Sequence, residues 1–237
     1  MNLILLKLIL AHLIGDFFLQ PQKWVKDKEK KKLKSKWLYL HILIHIALMF
    51  LLIWDTSHWA LILVIGGIHY IIDSIKLLLQ NKKNKRLLFF IDQLLHLVTI
   101  LLFVALFMGK SLLVFDINQQ SILLVICITF LTLPTSIIMK MIFSKWNISK
   151  ITKGNESLKD AGKYIGILER LLVFTFVTLG QWGAVGFLIT AKSVFRFGDL
   201  TASKERKLTE YILIGTLISF GVAVMIALLY LYLKAYV

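Results

Sequence analysis

Eight apolar segments recur along the chain, each close to the roughly 20 residues that an α-helix needs to cross a bilayer. They lie at about 2–19, 37–54, 59–80, 87–108, 121–139, 163–179, 181–197 and 208–233. Because 58% of the 237 residues are hydrophobic, the chain carries more apolar surface than a soluble domain of this length would bury. The sequence therefore predicts an all-α fold, a polytopic membrane helix bundle of about eight transmembrane helices.

Basic residues concentrate in alternate loops. The chain has 28 lysine and arginine residues against 13 aspartate and glutamate residues. The basic residues cluster at 22–36, 81–86, 140–163 and 204–207, whereas the short loops between hold only Lys110. This positive-inside pattern predicts a membrane protein with cytoplasmic basic loops and both termini outside. Attraction to anionic head groups accounts for the excess charge, so we expect membrane lipids rather than nucleic acid as partners.

A polar segment, 144–162, interrupts the apolar pattern. It predicts a cytoplasmic linker between a five-helix membrane half, 1–143, and a three-helix membrane half, 163–237. Pro134 in TLPTS predicts a kink in the fifth span, where threonine and serine hydroxyls can bind the freed carbonyls. Gly180 predicts a tight turn. Cys127, the single cysteine, excludes a disulfide framework and is expected to be a buried apolar residue.

Four polar pairs interrupt the first four predicted spans, in HLIGD, HILIH, HYIID and DQLLH. They are His12 and Asp16, His41 and His45, His69 and Asp73, and Asp92 and His96. Each pair is spaced i, i+4, so both side chains lie on one helix face. Ionisable residues at membrane depth are costly and usually mark function. Because imidazole and carboxylate are ligands of Zn, Mn and Fe, the eight residues predict a centre for one or two divalent ions. Zn is the first expectation, and a metal-free hydrogen-bonded network is the alternative.

The order within the pairs follows the alternating direction of the spans. We expect one tier nearer the cytoplasm and a second tier about 6 Å deeper, the rise of four helical residues. The cytoplasmic tier contains Asp16, His41, Asp73 and Asp92, and the deeper tier contains His12, His45, His69 and His96. The sequence thus predicts a cytoplasm-facing site in which two metal ions could lie close together, as in two-metal hydrolytic centres.

The last three predicted spans carry further charged residues. Glu169, Lys192 and Arg196 are candidate catalytic residues, with the two cations holding an anionic group such as phosphate and Glu169 acting as a general base. Lysine and arginine near a membrane boundary also extend to the interface without any catalytic role, and Glu169 can pair with a cation. Both interpretations stay open at this point.

Several of these motifs resemble one family. HLIGDFFLQPQKW, the HxxxH pair, HYIID and IDQLLH, within about residues 8–100, are similar to the bacterial membrane family called domain of unknown function 3307. A looser resemblance continues through ERLLVF and EYILIGTLISF to about Gly221. The resemblance implies a multi-pass bacterial membrane protein and implies no reaction. The helical HxxxD pairs are more distantly similar to membrane-bound metal-dependent hydrolases.

The sequence leaves several functions open. A metal-dependent hydrolase acting on a phosphorylated or lipid substrate is preferred, because mixed imidazole and carboxylate ligands suit metal-activated water. A divalent-metal transporter is second, since polar tiers along the membrane normal could be steps of a path. A histidine-box di-iron oxidoreductase ranks lowest, because HxxHH is absent. A structural membrane protein is the remaining alternative, and the sequence predicts no oligomeric state.

Overall fold

All regular secondary structure is helical in the part of the chain that the computed structural model describes, residues 3–108, 117–144, 161–197 and 203–235. The α-helices are α1 (Leu3–Phe17), α2 (Gln22–Lys31), α3 (Lys36–Ile53), α4 (Trp59–Leu79), α5 (Lys85–Met108), α6 (Ile117–Leu131), α7 (Leu133–Phe143), α8 (Ala161–Thr178), α9 (Trp182–Phe197) and α10 (Ser203–Ala235). Short 3-10 helices at Lys32–Lys34 and Thr56–His58 join α2 to α3 and precede α4. The predicted all-α class is confirmed for these residues.

Among the described residues, five helical segments are long and apolar enough to cross a membrane, judged by length and composition. They are Lys36–Ile53, Thr56–Leu79, Lys85–Phe107, Gln119–Phe143 and Glu210–Lys234. A sixth arises if α1 and Gln22–Lys34, which are bent by 80° to each other, form one broken span. The chain is therefore a multi-pass membrane protein.

The remaining predicted spans are helical but do not meet the same criteria of length and composition. α8 carries Lys163, Glu169 and Arg170 within 18 residues, and the apolar part of α9, Trp182–Val194, is short. The count of eight predicted spans thus exceeds the five or six that the described helices support by length and composition. The difference arises because a run of apolar residues can be long enough for a helix and still too short or too charged for the hydrocarbon layer.

The helices divide into two compact units, Met1–Ile126 and Cys127–Tyr236, and α6 contributes to both. In the first unit, α1 packs against α3 and α5, α3 packs against α4, and α4 packs against α5. In the second unit, α8 packs against α7, α9 and α10. The predicted halves 1–143 and 163–237 and their cytoplasmic linker stay a prediction, and most of that linker, residues 145–160, lies outside the described residues.

The apolar core of the first unit lies away from the basic loops. It consists of Leu5, Leu8, Ala11, Met49, Ile53, Leu61, Ile62, Ile65, Ile100 and Val104. These residues come from the ends of α1, α3, α4 and α5 that are farther from the lysine-rich segments 22–36 and 81–86. The polar pairs therefore occupy the other half of this four-helix group, between the apolar core and the basic ends.

A sharp change of direction follows α1, and α2 returns toward the polar half of the first unit. Lys28 of α2 is buried, and Lys32 donates to the carbonyls of Leu77 and Gln80 at the end of α4. A lysine at this position binds carbonyl groups that have no partner inside the helix. The rings of Trp24 and Trp37 stack with centroids 4.5 Å apart. These contacts fix α2 against the ends of α3 and α4.

The predicted kink at Pro134 is a break between α6 and α7. Proline has no N–H group to donate to the Phe130 carbonyl, and the Thr135 hydroxyl donates to it instead at 2.7 Å. The Ser136 hydroxyl donates to the Thr132 carbonyl at 2.8 Å. The expected roles of threonine and serine at the kink are thereby confirmed.

Buried Arg170 of α8 also binds this break. Its Nε donates to the Leu131 carbonyl at 2.7 Å, and one terminal nitrogen donates to the Thr132 carbonyl at 3.2 Å and the Ser136 hydroxyl at 2.8 Å. The other terminal nitrogen donates to the Ser219 hydroxyl of α10 at 3.2 Å. One guanidinium therefore joins α6, α7, α8 and α10. The other local predictions also hold, since Gly180 has φ +72 and Cys127 is buried without a disulfide.

Candidate metal centre

The eight side chains of the four polar pairs come together inside the first unit. They lie on the mutually packed helices α1, α3, α4 and α5. Seven of them are buried, and the Asp16 side chain is 10% exposed. Each of the eight contacts at least one other member of the set through an ion pair or a close ring contact. The convergence expected from the i, i+4 spacing is therefore present, and we call this set the His/Asp cluster.

Four of these residues offer ligand atoms at the spacing of a tetrahedral metal site. Asp16 Oδ1 lies 3.0 Å from His45 Nε2, 3.2 Å from His41 Nε2 and 3.7 Å from His69 Nε2. The Nε2 atoms of His41 and His69 are 3.3 Å apart. Zinc bonds of about 2.0 Å in a tetrahedron place neighbouring ligand atoms about 3.3 Å apart. Asp16, His41, His45 and His69, called the first ligand group, could therefore hold a metal ion.

A second group shares one residue with the first. His69, Asp73 and His96, called the second ligand group, each offer an atom within 4.8 Å of the others. The rings of His69 and His96 have centroids 3.9 Å apart. Asp73 Oδ2 is also 3.7 Å from His41 Nε2, so the two groups adjoin. Two imidazoles and one carboxylate are a ligand set found in Zn and non-haem Fe sites.

His12 and Asp92 lie beside these groups rather than inside them. His12 Nε2 is 3.3 Å from Gln93 Oε1 and 3.9 Å from Asp16 Oδ2, and its ring stacks on His96 with centroids 5.1 Å apart. Asp92 Oδ2 accepts a hydrogen bond from Lys76 Nζ at 2.5 Å. Both residues remain predicted ligands, and their observed contacts support the neighbouring ligand groups.

The ligand groups in the structure do not coincide with the two predicted tiers, because they contain residues of both. The first group takes Asp16 and His41 from the cytoplasmic tier and His45 and His69 from the deeper tier. The reason is side-chain reach, since an imidazole extends farther from its backbone than the aspartate carboxylate does. The three imidazoles therefore meet at one oxygen of Asp16, although their backbones differ in position along the bundle.

Within the described residues, four further polar side chains contact the His/Asp cluster and were not among the predicted site residues. Gln93 Nε2 donates to Asp16 Oδ2 at 2.8 Å, and Gln20 Nε2 is 2.9 Å from His41 Nε2. Lys28 Nζ donates to Asp73 Oδ2 at 3.2 Å, and Lys76 binds Asp92 as described above. Their sequence signals are weak: Gln93 adjoins Asp92 and Lys76 follows Asp73 by three residues, but Lys28 lies in a run of lysines that is typical of a solvated loop.

The charges of this region favour a bound cation. Asp73 pairs with the ammonium group of Lys28 and Asp92 with that of Lys76, whereas the third carboxylate, Asp16, contacts histidines. With neutral imidazoles, one negative charge is left without a compensating cation inside the cluster. A buried uncompensated charge is costly, so a divalent cation is a suitable occupant.

A close approach between α1 and α3 makes room for one of the ligands. A Cβ atom added at Gly15 would overlap the imidazole ring of His45. Only glycine therefore allows the ring to lie against the α1 backbone, next to Asp16. This gives the glycine of the HLIGD motif a steric role that its neighbours in sequence do not reveal.

A small cavity of about 10 Å³ lies beside the histidines, roughly the space of one water-sized group. Four imidazoles line it, those of His12, His45, His69 and His96. The rest of its wall is apolar apart from Thr99, and consists of Leu8, Met49, Ile65 and Ile100. The cavity therefore has one polar side, formed by the cluster, and an apolar side toward the core.

The predicted catalytic residues lie in the second unit. Lys192 Nζ donates to Glu169 Oε2 at 2.6 Å, which links α9 to α8. Arg196 lies in the last turn of α9, and its side chain is outside the described part of the structure. The ion pair matches the alternative that Glu169 pairs with a cation, while a catalytic role for these three residues stays a prediction.

The helices and this buried cluster define a multi-span helical membrane protein with a His/Asp site that could bind metal. The chain belongs to the family described as "Protein of unknown function (DUF3307)", whose model matches residues 4–126. This confirms the resemblance carried by the motifs of residues 8–100. The match contains α1 to α5 and every residue of the His/Asp cluster, whereas the looser resemblance up to Gly221 extends beyond it. No curated protein and no solved structure matches the chain at a significant level.

Proposed function

We propose that this protein is a membrane-embedded metal-dependent hydrolase. The observation that carries the proposal is the convergence of Asp16, His41, His45 and His69 at the spacing of a tetrahedral metal site. Zn is the preferred ion because it takes imidazole and carboxylate ligands in fours, with Mn or Fe as the alternatives. The three-residue second ligand group, which adjoins the first, gives room for a second ion.

The residues around the first ligand group prepare it for a cation. Gln93 binds Asp16 Oδ2, which leaves Oδ1 directed at the three imidazoles. Hydrogen bonds of this kind hold a ligand in the orientation that a metal needs and raise its affinity. A divalent ion that keeps a coordination position open, as in a three-ligand group, would supply an activated water and polarise a phosphoryl or carbonyl oxygen.

The substrate class follows from the cations near the cluster. Lys28 and Lys76 place two ammonium groups beside Asp73 and Asp92, and such groups bind phosphate oxygens well. A phosphorylated substrate, either soluble or a lipid, therefore fits this environment. Glu169 as a general base, with Lys192 and Arg196 as anion-binding residues, is proposed as the contribution of the second unit.

Divalent-metal transport is the second candidate. The observation that favours it is that two ligand groups share His69, since adjacent sites can be successive steps for a moving ion. Against it, the cavity beside the histidines has Leu8, Met49, Ile65 and Ile100 on its other wall. An apolar wall offers no ligands for an ion that leaves in that direction, so hydrolysis ranks first.

The proposed location is the bacterial inner membrane, with the basic loops in the cytoplasm and with α8 and α9 as two further spans. Exposed Lys30 and Lys83 lie in basic segments, and exposed Ser57 lies in a loop without lysine or arginine. With Cys127 replaced by alanine, cysteines at positions 30 and 83 should resist an impermeant thiol reagent in intact cells, while a cysteine at 57 should react. The opposite labelling pattern would reverse the orientation.

Hydrolysis is tested with purified protein freed of metal and then reloaded with Zn²⁺, Mn²⁺ or Fe²⁺. The substrates are a chromogenic phosphate ester and phospholipids in mixed micelles. We expect phosphate release that needs the metal and falls at least about 100-fold in His69→Ala and His96→Ala, because each removes a ligand from the three-residue second group, which leaves a coordination position for water. His58→Ala, which changes the one histidine outside the cluster, is the matched control and should keep full activity. Metal-loaded protein that releases no product, yet moves the ion into proteoliposomes, would replace the hydrolase proposal by transport.

A further inference from the structure

His96 is prepared for metal binding but belongs only to the second ligand group. Its Nδ1 lies 2.7 Å from the backbone carbonyl of Asp92, and a carbonyl can only accept a hydrogen bond. The neutral ring therefore carries its proton on Nδ1 and presents a lone pair on Nε2. A histidine that ligates a metal through one nitrogen commonly donates from the other to a carbonyl in this way.

The free nitrogen of His96 has nothing to bind within the described part of the chain. Nε2 is buried without a hydrogen-bond partner there, and the residue is 2% exposed. Asp92 Oδ1 and His12 Nδ1, nearby in the same cluster, are likewise buried without a partner among the described residues. Buried polar atoms are nearly always paired, and a bound ion is one of the few explanations for an exception.

The remaining members of the group complete a ligand set. His69 stacks near His96, and Asp73 adds a carboxylate whose Oδ2 accepts from Lys28 Nζ at 3.2 Å. We propose that His69, Asp73 and His96 hold a second divalent cation, separate from the one in the first ligand group. Asp73 supplies a negative charge and His96 a neutral donor, as in Zn and Fe sites. His69 can serve both ions only by losing its ring N–H proton to solvent, because a neutral imidazole has a single free lone pair.

The two sites differ in the number of protein ligands. Four protein ligands fill the coordination of a zinc ion and are typical of structural sites, whereas three leave a position for water or substrate. The second ion is therefore the one that has a coordination position open for water or substrate. Its catalytic role, but not its binding, rests on the proposed hydrolase function. Lys28, hydrogen-bonded to Asp73, lies where it can bind an anionic oxygen of a substrate at that position.

Because both ligand groups contain His69, two separate ions predict a specific pattern of metal loss among single variants. His45 belongs only to the first group and His96 only to the second, whereas His69 belongs to both. Loss of His45 should therefore weaken binding of the first ion alone, loss of His96 should remove the second alone, and loss of His69 should weaken both. A single site would instead respond to every ligand loss in the same way.

In the experiment, Co²⁺ is titrated into the metal-free full chain in detergent. The number of bound ions is measured by elemental mass spectrometry. Wild type and the His58→Ala control should each bind two ions. His96→Ala, which leaves two ligands at the second site, should bind one ion. His45→Ala, which leaves three ligands at the first site, should raise only one of the two dissociation constants more than tenfold, and His69→Ala should raise both.

Two results would overturn the second site: one ion in the wild type, or two ions in His96→Ala. Circular dichroism checks that each variant is folded, and His96→Gln, which keeps a polar side chain of similar reach, replaces His96→Ala if that variant unfolds. The outcome is independent of the proposed reaction. One bound ion with hydrolysis would reject the second site alone, and two bound ions without hydrolysis would reject the hydrolase alone.

Discussion

Replacing Asp16 by asparagine is expected to weaken metal binding by more than about 100-fold, beyond the roughly 10- to 100-fold typical of residues that only support a ligand. Asp16 is the only carboxylate of the first ligand group, and its Oδ1 is the atom at which the imidazoles of His41 and His45 meet. The amide removes the negative charge that balances the cation. The affinity would be measured by competition for Zn²⁺ with a chromogenic chelator.

The matched control for this change is Asp55→Asn. Asp55 is an exposed carboxylate that binds the backbone of Ser57 before α4, far in sequence from any predicted ligand, and the same substitution there should leave the affinity unchanged. His41→Ala provides a second ligand loss in case Asp16→Asn disturbs the fold. Unchanged zinc affinity in both folded variants would mean that the first ligand group is a metal-free hydrogen-bonded network.

Replacing Arg170 by leucine is expected to lower the free energy of unfolding of the second unit by about 1 to 3 kcal/mol, the cost of one buried carbonyl, that of Leu131, left without a donor. The Thr132 carbonyl loses one contact but keeps the Ser136 hydroxyl and backbone N–H as donors. The Ser136 and Ser219 hydroxyls lose their contacts with the same side chain. Unfolding would be measured in detergent by circular dichroism.

Two further variants separate the causes of that loss. Lys163→Leu removes an exposed cation from the same helix and should change stability by less than about 0.5 kcal/mol, as is usual for surface positions. Arg170→Lys keeps the charge but loses the planar set of donors, so it should fall between wild type and Arg170→Leu. Equal stability of Arg170→Leu and wild type would show that other groups form hydrogen bonds with the carbonyls at the break between α6 and α7.

The composition of the His/Asp cluster could be predicted because it depends on short-range rules. An i, i+4 pair shares a helix face whatever the rest of the fold does, and four such pairs on successive antiparallel helices have one interior in which to meet. His12 and Asp16 illustrate this, since both reach the partners expected from α3, α4 and α5. The break at Pro134 was predictable for the same reason, because the missing N–H is a property of the residue itself.

The ligand groups could not be predicted, because they depend on distances of a few ångströms between helices. Whether Asp16 meets His45 or another carboxylate is decided by helix tilt, by rotation and by the close approach at Gly15, none of which sequence spacing contains. Long side chains add to the difficulty. Lys28 and Arg170 each cross to another helix, and either would be expected on sequence grounds to lie near water.

The shortness of α1 has a consequence for how the chain is made. At 15 residues it extends only about 22 Å, less than the roughly 30 Å of the hydrocarbon layer, and it carries His12 and Asp16. Ionisable side chains inside the hydrocarbon layer are costly without partners. The partners of this pair leave the ribosome later: His41 and His45, which contact Asp16, belong to α3, and Gln93, which binds both residues, belongs to α5. α1 is therefore fully stabilised in the membrane only after α3 and α5 have followed it, which makes biogenesis of the first unit a cooperative event.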